Sequence, residues 1–474
     1  MGDFTVRTAD RRDTTLTQQA VDDLASRLRG TLLTPRSNGY EEARTIWNAM
    51  IDRRPGLIAR CTGAADVMQA VNFARENGLL VSVRGGGHNI AGNALCDGGL
   101  LIDLSQMRYV QVDPMGRTAR VAPGTTLGDL DRETQVFGLA VPMGINSTTG
   151  VAGLTLGGGF GWLTRKYGLT VDNLLGVDMV TANGQFLRAN ANENADLFWA
   201  VRGGGGNFGV VTSFTFRPQP VGPMVTAGLI VHPFDKAGDL MRRYRDAAAA
   251  LPDEATCWIV LRKAPPLPFL PAEVHGKEVM VLGVFCTLDD DAAAMKALEP
   301  VRALGTPLGE HVGPMPYTAW QSAFDPLLAP GARNYWKSHN FTRIDDGLID
   351  LLVEEAGKLP SSHCEIFVGQ LGGAANRVPV DATAYPHRDA EFVMNVHARW
   401  ETAPEDSACV RWARDVFDRT AGYATGGVYV NFVTDDEQRV AAAYGANYDR
   451  LRALKATFDP GNLFCVNQNI APAT

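Results

Sequence analysis

The 474-residue chain is short of three things: long apolar runs, cysteine and positive charge. A membrane helix needs about 20 consecutive apolar residues, and no stretch approaches that. The opening Met1-Gly-Asp-Phe-Thr has no charged segment leading into an apolar core, and Val6 stands where a myristoylation signal needs Ser or Thr. The expectation is a soluble, cytoplasmic protein. With 44 Lys and Arg against 52 Asp and Glu, the net charge of −8 argues against a nucleic-acid or anionic-membrane surface. The seven cysteines (Cys61, Cys96, Cys257, Cys286, Cys364, Cys409 and Cys465) are scattered and never in CxxC spacing. That pattern speaks against a disulfide framework, a zinc site and a dithiol pair. They read as small core residues, Cys96 near His88 included.

Glycine, in contrast, is plentiful: 50 residues, many of them in three clusters. The first is Val81-Ser-Val-Arg-Gly-Gly-Gly-His-Asn89, an apolar strand that breaks into a turn whose backbone N–H groups can converge on an anion such as a pyrophosphate. His88 follows directly. The second runs from Gly144 to Trp162, with glycine at 144, 150, 153, 157, 158, 159 and 161. So many glycines disfavour a helix and suit a flat ligand lying close to the backbone. The third is Arg202-Gly-Gly-Gly-Gly-Asn-Phe-Gly209. Gly204-x-Gly206-x-x-Gly209 has the form of the Rossmann fingerprint, but a helix precedes it and a strand follows, the reverse of the required order, so a classical NAD site is rejected.

The chain is long enough for two domains. Residues 1 to about 50 read as helical, followed by strands at Leu57–Cys61, Leu79–Val83, Gly99–Ser105 and Thr118–Ala122, with helices at 62–77 and 126–137. The proline-rich 218–223 marks a boundary, beyond which strands (225–231, 257–261, 279–286, 391–400) alternate with helices (237–251, 290–304). Val428–Phe432 reads as a strand, 437–457 as a long helix and 458–470 as a turn and strand. The fold class is α+β, with domains expected at 1–220 and 221–430 and a C-terminal segment at 431–474 that returns to the first.

The pieces Arg84-Gly-Gly-Gly-His88, Thr149–Gly161, Arg165–Asn173, Gly206-Asn-Phe-Gly209, Tyr429-Val-Asn431 and Asp459–Phe464 together resemble the berberine bridge enzyme-like branch of the vanillyl-alcohol oxidase (PCMH-type FAD-binding) superfamily. They fall in that family's order over nearly the whole chain. The resemblance implies FAD, a PCMH-type FAD-binding fold and a second α+β domain whose antiparallel sheet covers the flavin ring. It implies that Arg84, Gly85, Gly86, Gly87, His88 and Asn89 hold the pyrophosphate. It also places Gly144, Thr148, Thr149, Gly150, Gly153, Gly158, Gly159, Gly161, Trp162, Val210, Tyr429 and Asn431 at the cofactor. His88 is the expected covalent attachment point. Many relatives carry a second link through a cysteine, but Asn146 occupies that place here, so a single link through His88 is expected.

A flavin oxidising an alcohol or amine takes a hydride while a base removes the neighbouring proton. Tyr429 is the first candidate base by resemblance, against the alternative of an aromatic packed on the ring. Plant relatives place a Glu or Gln base where Asn395 stands, and an amide cannot act as a general base. His397, on the same strand face, is a substitute, with a packed core histidine as the other reading. Glu365 is a further alternative, and Gln370 is expected on the opposite strand face. Thr149 falls near the place that controls oxygen access in relatives. The expectation is an oxidase acting on a small alcohol, sugar or amine, with O2 as acceptor, no metal, and neither nucleic acid nor membrane as partner; the oligomeric state is not legible. A dehydrogenase using another acceptor and a non-catalytic flavin-binding protein are the alternatives.

Overall fold

The protein is described from a computed structural model covering residues 3–434 and 440–473. Three sheets organise it. In the smallest, Leu57–Arg60, Leu100–Asp103 and Val81–Arg84 run parallel, with Thr31–Leu33 added antiparallel at one edge. The segments Leu57–Ala59 and Leu100–Ile102 are buried and continuously apolar, as parallel strands covered on both faces tend to be. The helix Ala64–Glu76 packs beside them through Val67, Ala70, Val71 and Ala74. A five-stranded antiparallel sheet follows, in the order Phe186–Asn190, Leu174–Val180, Val210–Phe216, Thr118–Val121, Val110–Asp113.

From Met224 onward the chain builds a seven-stranded antiparallel sheet: Gly309–Pro316, Met224–Pro233, Glu278–Cys286, Ala255–Lys263, Glu365–Gln370, Phe392–Trp400 and Arg333–Phe341. Its two faces differ in composition. Cys257, Ile259, Leu261, Met394 and Val396 face the helices Ala237–Ala249, Asp291–Arg302, Asp346–Ala356 and Asp406–Thr420, forming the largest core. Trp258, Glu365, Phe367, Asn395 and His397 look the other way, towards the glycine-rich loops. Period-2 alternation thus sends one half of each strand into the core and the other half to the site.

Several expectations from sequence need correction. The first 50 residues are not mainly helical: Phe4–Arg7 pairs with Asp13–Leu16, Thr31–Leu33 is a strand, and only Gln18–Arg27 forms a sizeable helix. Phe4, Thr5 and Val6 in the first segment and Thr14 and Thr15 in the second favour strand over helix. The glycine-rich 144–161 stretch does contain a helix, Val151–Leu156, with Gly150 before it, Gly157 after it and Gly153 inside. Val428–Phe432 is no strand; Val430–Phe432 is a 3-10 turn closed by Phe432 N–H donating to the Tyr429 carbonyl. The long C-terminal helix is interrupted: Val440–Tyr444 and Tyr448–Phe458 flank Gly445, whose φ of 48° lies in the left-handed region. Residues 437–439 of that expected helix lie outside the described residues. Among the described residues no strand follows Phe458; residues 459–473 are irregular and held by side-chain amides and carboxylates.

Candidate functional site

The three glycine clusters meet around one cavity of about 360 Å³, closed on the far side by the seven-stranded sheet. Its floor is made by glycine against glycine. A Cβ at Gly86 would stand 2.4 Å from the Gly150 Cα, and one at Gly150 would stand 2.5 Å from the Gly86 nitrogen, so the two loops touch only because neither carries a side chain. At the cavity's edge the N–H groups of Gly85 to Asn89 donate to no carbonyl among the described residues. Five successive donors without a carbonyl partner are available to an anion. Gly153 and Gly206 also line the cavity, and a Cβ on either would meet no other part of the protein within 4 Å. The space beside both is therefore left for something else.

His88 closes the first loop, half-buried and stacked on Trp47 with ring centroids 5.2 Å apart. Its Nε2 lies 3.1 Å from Thr148 Oγ1, whose own proton goes to Asn146 Oδ1 at 2.7 Å. The hydroxyl has only one proton, so Nε2 must carry the hydrogen and donate. Burial pushes the imidazole down to about 4, with the Thr148 backbone opposing, so the ring is neutral near pH 7.

Of the residues expected at the cofactor, Gly85, Gly86, Gly87, His88, Asn89, Gly144, Thr149, Gly150, Gly153, Val210, Tyr429 and Asn431 line the cavity. Arg84 is a correction. Its guanidinium is buried and turned away, held by Asp103 (Nε to Oδ1 3.0 Å, Nη2 to Oδ2 2.6 Å) and by the Ala43 carbonyl, so its side chain is not a phosphate ligand. Thr148 stands behind His88. Gly158, Gly159, Gly161 and Trp162, also expected at the cofactor, do not line the cavity. A Cβ on Gly161 would clash with the Met143 carbonyl, and Trp162 stacks on Trp258 at 4.0 Å. The Gly159 N–H donates to Tyr429 Oη at 3.1 Å.

Residues the sequence reading did not place at the cavity also line it: Trp47, Trp258, Trp336, Phe367, Gly206, Asn207 and Gln468. The last two show how the chain's end reaches the site. Asn207 accepts from Ile470 N–H at 2.9 Å and donates to the Gly204 and Gln468 carbonyls. Lys455, fully buried, donates to the Asn207 carbonyl (2.7 Å), the Phe464 carbonyl (3.0 Å) and Asp459 (2.7 Å). The Gly206-Asn-Phe-Gly209 and Asp459–Phe464 stretches of the resemblance are thus two halves of one clamp.

Among the catalytic candidates, Tyr429 lines the cavity, but its hydroxyl oxygen accepts from Gly159 N–H and from Asn431 Nδ2 at 2.9 Å. Burial raises it to about 12, against these two hydrogen bonds. Asn395 and His397 are 4% and 5% exposed, both line the cavity, and Asn395 Oδ1 and His397 Nε2 have no hydrogen-bond partner among the described residues. Glu365 faces the cavity beside them, whereas Gln370 turns to the helix side and donates to the Ala248 carbonyl, as the strand alternation required. Cys96 is buried beneath Ser82, its thiol pushed by burial to about 11. No group of His, Cys, Asp or Glu suited to a metal ion occurs among the described residues. No helix is long and apolar enough to cross a membrane among them.

Residues 55–190 match the FAD binding domain family, and residues 428–471 match the family described as berberine and berberine like. An FAD-linked oxidoreductase of Dictyostelium discoideum is 32% identical, the match covering 96% of this chain and 97% of that protein. The chain belongs to the berberine bridge enzyme-like family of FAD-linked oxidoreductases. It is also 33% identical to the (R)-6-hydroxynicotine oxidase of Paenarthrobacter nicotinovorans, over 94% of this chain and 97% of the relative. The crystal structure of 6-hydroxy-D-nicotine oxidase from Arthrobacter nicotinovorans superposes with a TM-score of 0.84 at 30% identity, covering 94% and 98% of the two chains. The fold is accordingly α+β of the PCMH type, the protein is an enzyme and its cofactor is FAD. The open N–H groups of residues 85–89 and the empty sides of Gly153 and Gly206 fit a dinucleotide laid along the glycine loops.

Proposed function

We propose that this enzyme is an oxidase with a singly linked flavin: it removes a hydride from a small alcohol, sugar or amine and passes the electrons to O2, forming hydrogen peroxide. The observation that carries the reading is His88. It stands at the end of the open N–H row, neutral, with Nε2 committed to Thr148, which leaves the lone pair on Nδ1 as the nucleophile a covalent link needs. Asn146, and not cysteine, lies next to Thr148 and holds its hydroxyl, which supports one link and not two. In this reading residues 1–220 with 431–474 bind FAD, and 221–430 supply the wall that faces the substrate. Bound FAD supplies the two-electron acceptor chemistry; the protein supplies the seat, the exclusion of water and the proton acceptor.

The relative named for 6-hydroxynicotine supports a small amine substrate, and an aromatic wall of Trp47, Trp258, Trp336 and Phe367 suits a flat or ring-shaped molecule. Thr149 lines the cavity without filling it, which supports access for O2. Small alcohols, sugars and amines, beginning with 6-hydroxynicotine, are to be added to the purified protein without air. One class is expected to bleach the flavin, and admitting air to restore the colour while peroxide accumulates. Bleaching that air does not reverse, but a quinone or dye does, overturns the oxidase reading in favour of a dehydrogenase.

A further inference from the structure

Three residues on one face of the seven-stranded sheet lie in a row across it, and two of them, Glu365 and His397, line the cavity. Arg262 on Ala255–Lys263 is directly opposite Glu365 on Glu365–Gln370, and Glu365 is opposite His397 on Phe392–Trp400. Side chains so paired lie on one face at contact distance. Arg262 Nη1 donates to Glu365 Oε2 at 2.7 Å, and His397 Nδ1 lies 3.1 Å from Glu365 Oε1. On the far side His397 meets Trp336, its cross-strand partner in the next strand, edge to face at 4.6 Å. Each member is therefore held by the next, and His397 Nε2 is left buried without a partner among the described residues, as is Trp336 Nε1 beside it, with both side chains lining the cavity.

We propose that His397 accepts the substrate proton at Nε2, with Glu365 and Arg262 as positioning residues that fix its tautomer and ring orientation. This deepens the oxidase reading above and rests on it. An ionised carboxylate only accepts hydrogen bonds, so Nδ1 must carry the hydrogen and the Nε2 lone pair must point to the open side. Burial opposes the charge on Glu365, but Arg262 and the bond from His397 hold its carboxyl well below the usual range. Burial likewise lowers His397, opposed by Glu365, and keeps it a neutral acceptor. The charged groups facing it are Glu365, Arg262 and Arg399. The Asn395 oxygen, also unpartnered, is two residues along the same face and offers the substrate a hydrogen-bond acceptor.

The chemistry balances with the cofactor already assigned. The substrate's O–H or N–H proton moves to Nε2, and the heteroatom's electron pair becomes the second bond of C=O or C=N. The adjacent C–H bond breaks with its pair, which leaves as hydride to FAD, so the substrate loses two electrons and the flavin gains them. Tyr429 cannot take the same part while its oxygen accepts two hydrogen bonds and keeps its own proton.

The test reads the imidazole itself. Long-range 1H–15N spectra of deuterated holoprotein carrying 15N-histidine, with His397 assigned by its loss in H397Q, report both tautomer and protonation midpoint. The wild type is expected to show a neutral ring with hydrogen on Nδ1 and a midpoint below that of free histidine. E365Q is expected to lower the midpoint further and to mix the tautomers, and R262M to raise it, because the first removes a neighbouring anion and the second a neighbouring cation. An imidazolium at pH 7.5, hydrogen on Nε2, or a ring unmoved by both variants overturns the proposal. With any substrate that bleaches the wild type, H397Q is expected to slow bleaching about 10²- to 10⁴-fold, the range of general base catalysis, and E365Q by less. Equal rates in H397Q also overturn it. The spectra read the row whatever the flavin does, and the visible flavin band reads the cofactor, so a failure of one is told apart from a failure of the other.

Discussion

Gly153 and Gly206 matter for what is missing beside them. Gly153 lines the cavity, a Cβ there would meet no other part of the protein within 4 Å, and a helix interior favours Leu over Gly by about 1 kcal/mol. Gly153→Leu is therefore expected to give a folded protein of equal or higher melting temperature that purifies without flavin. Full flavin content in that variant would show that the cofactor does not run past Gly153. Tyr429→Phe removes the acceptor of the Gly159 N–H and should cost roughly 1–3 kcal/mol, measured by denaturant unfolding, with turnover changed less than ten-fold. A hundred-fold loss in a folded Tyr429→Phe protein would make the tyrosine the base. At this scale much of the site was legible from sequence, because glycine clusters and the histidine after Gly87 have few other uses. Trp47 was not. It stacks on His88 and donates from Nε1 to the Leu328 carbonyl at 2.7 Å, and the second of these contacts joins parts of the chain 281 positions apart. The direction of Arg84 was hidden for a similar reason, since its partner Asp103 lies on a neighbouring strand.

Among elements, the helix Leu127–Gln135 carries the most unusual burden. Asp131 is buried on it, receiving one hydrogen bond from Gln321 Nε2 at 3.2 Å while Oδ1 has no partner among the described residues. Burial raises its carboxyl to about 7, opposed by Gln321. The folded-state value lies above the unfolded one, so the protonated form's contribution is fully present below about 3.8 and is lost as pH rises through 7. Asp131→Asn, which copies the protonated carboxyl, is expected to stabilise the protein by roughly 1–3 kcal/mol at pH 8 and to make no difference near pH 4, read by thermal unfolding at both. A variant less stable at pH 8 would contradict this. The helix Tyr448–Phe458 carries the opposite case, since Lys455 is paired with Asp459. Lys455→Ala is expected to lose roughly 3–5 kcal/mol, because the buried Asp459 carboxylate loses its cation, and to loosen the clamp on Asn207. Boundaries of such helices could be read from caps and periodicity. The 428–432 segment could not, because alternation of Val and Tyr looks like a strand while the turn is set by Tyr429 reaching back to Gly159, 270 residues away.

For the whole molecule, burial is shared among histidines. His232, His387 and His397 all lie below their ordinary value of 6.5, each chiefly through loss of water. The unfolded chain takes up protons near 6.5 and the folded one only at lower pH, so these groups weaken the native state as pH falls below 6.5. Melting temperature is expected to drop between pH 7.5 and 5, and His387→Asn or H397Q to flatten the slope; a slope unchanged in both would contradict the account. The α+β class and the order of the three glycine clusters were visible in the linear sequence. How the end of the chain locks onto the Gly204–Gly209 turn, and which face of the seven-stranded sheet meets the cavity, depend on the assembled sheets.

The seat proposed for FAD requires that it be held at the glycine loops and joined to His88. Acid precipitation of the purified protein, digestion and mass analysis of the peptide that contains His88 test this most directly. The account expects a yellow pellet, and FAD mass on that peptide and on no other. A colourless pellet with all the flavin free in the supernatant, or flavin mass on a different peptide, would contradict it.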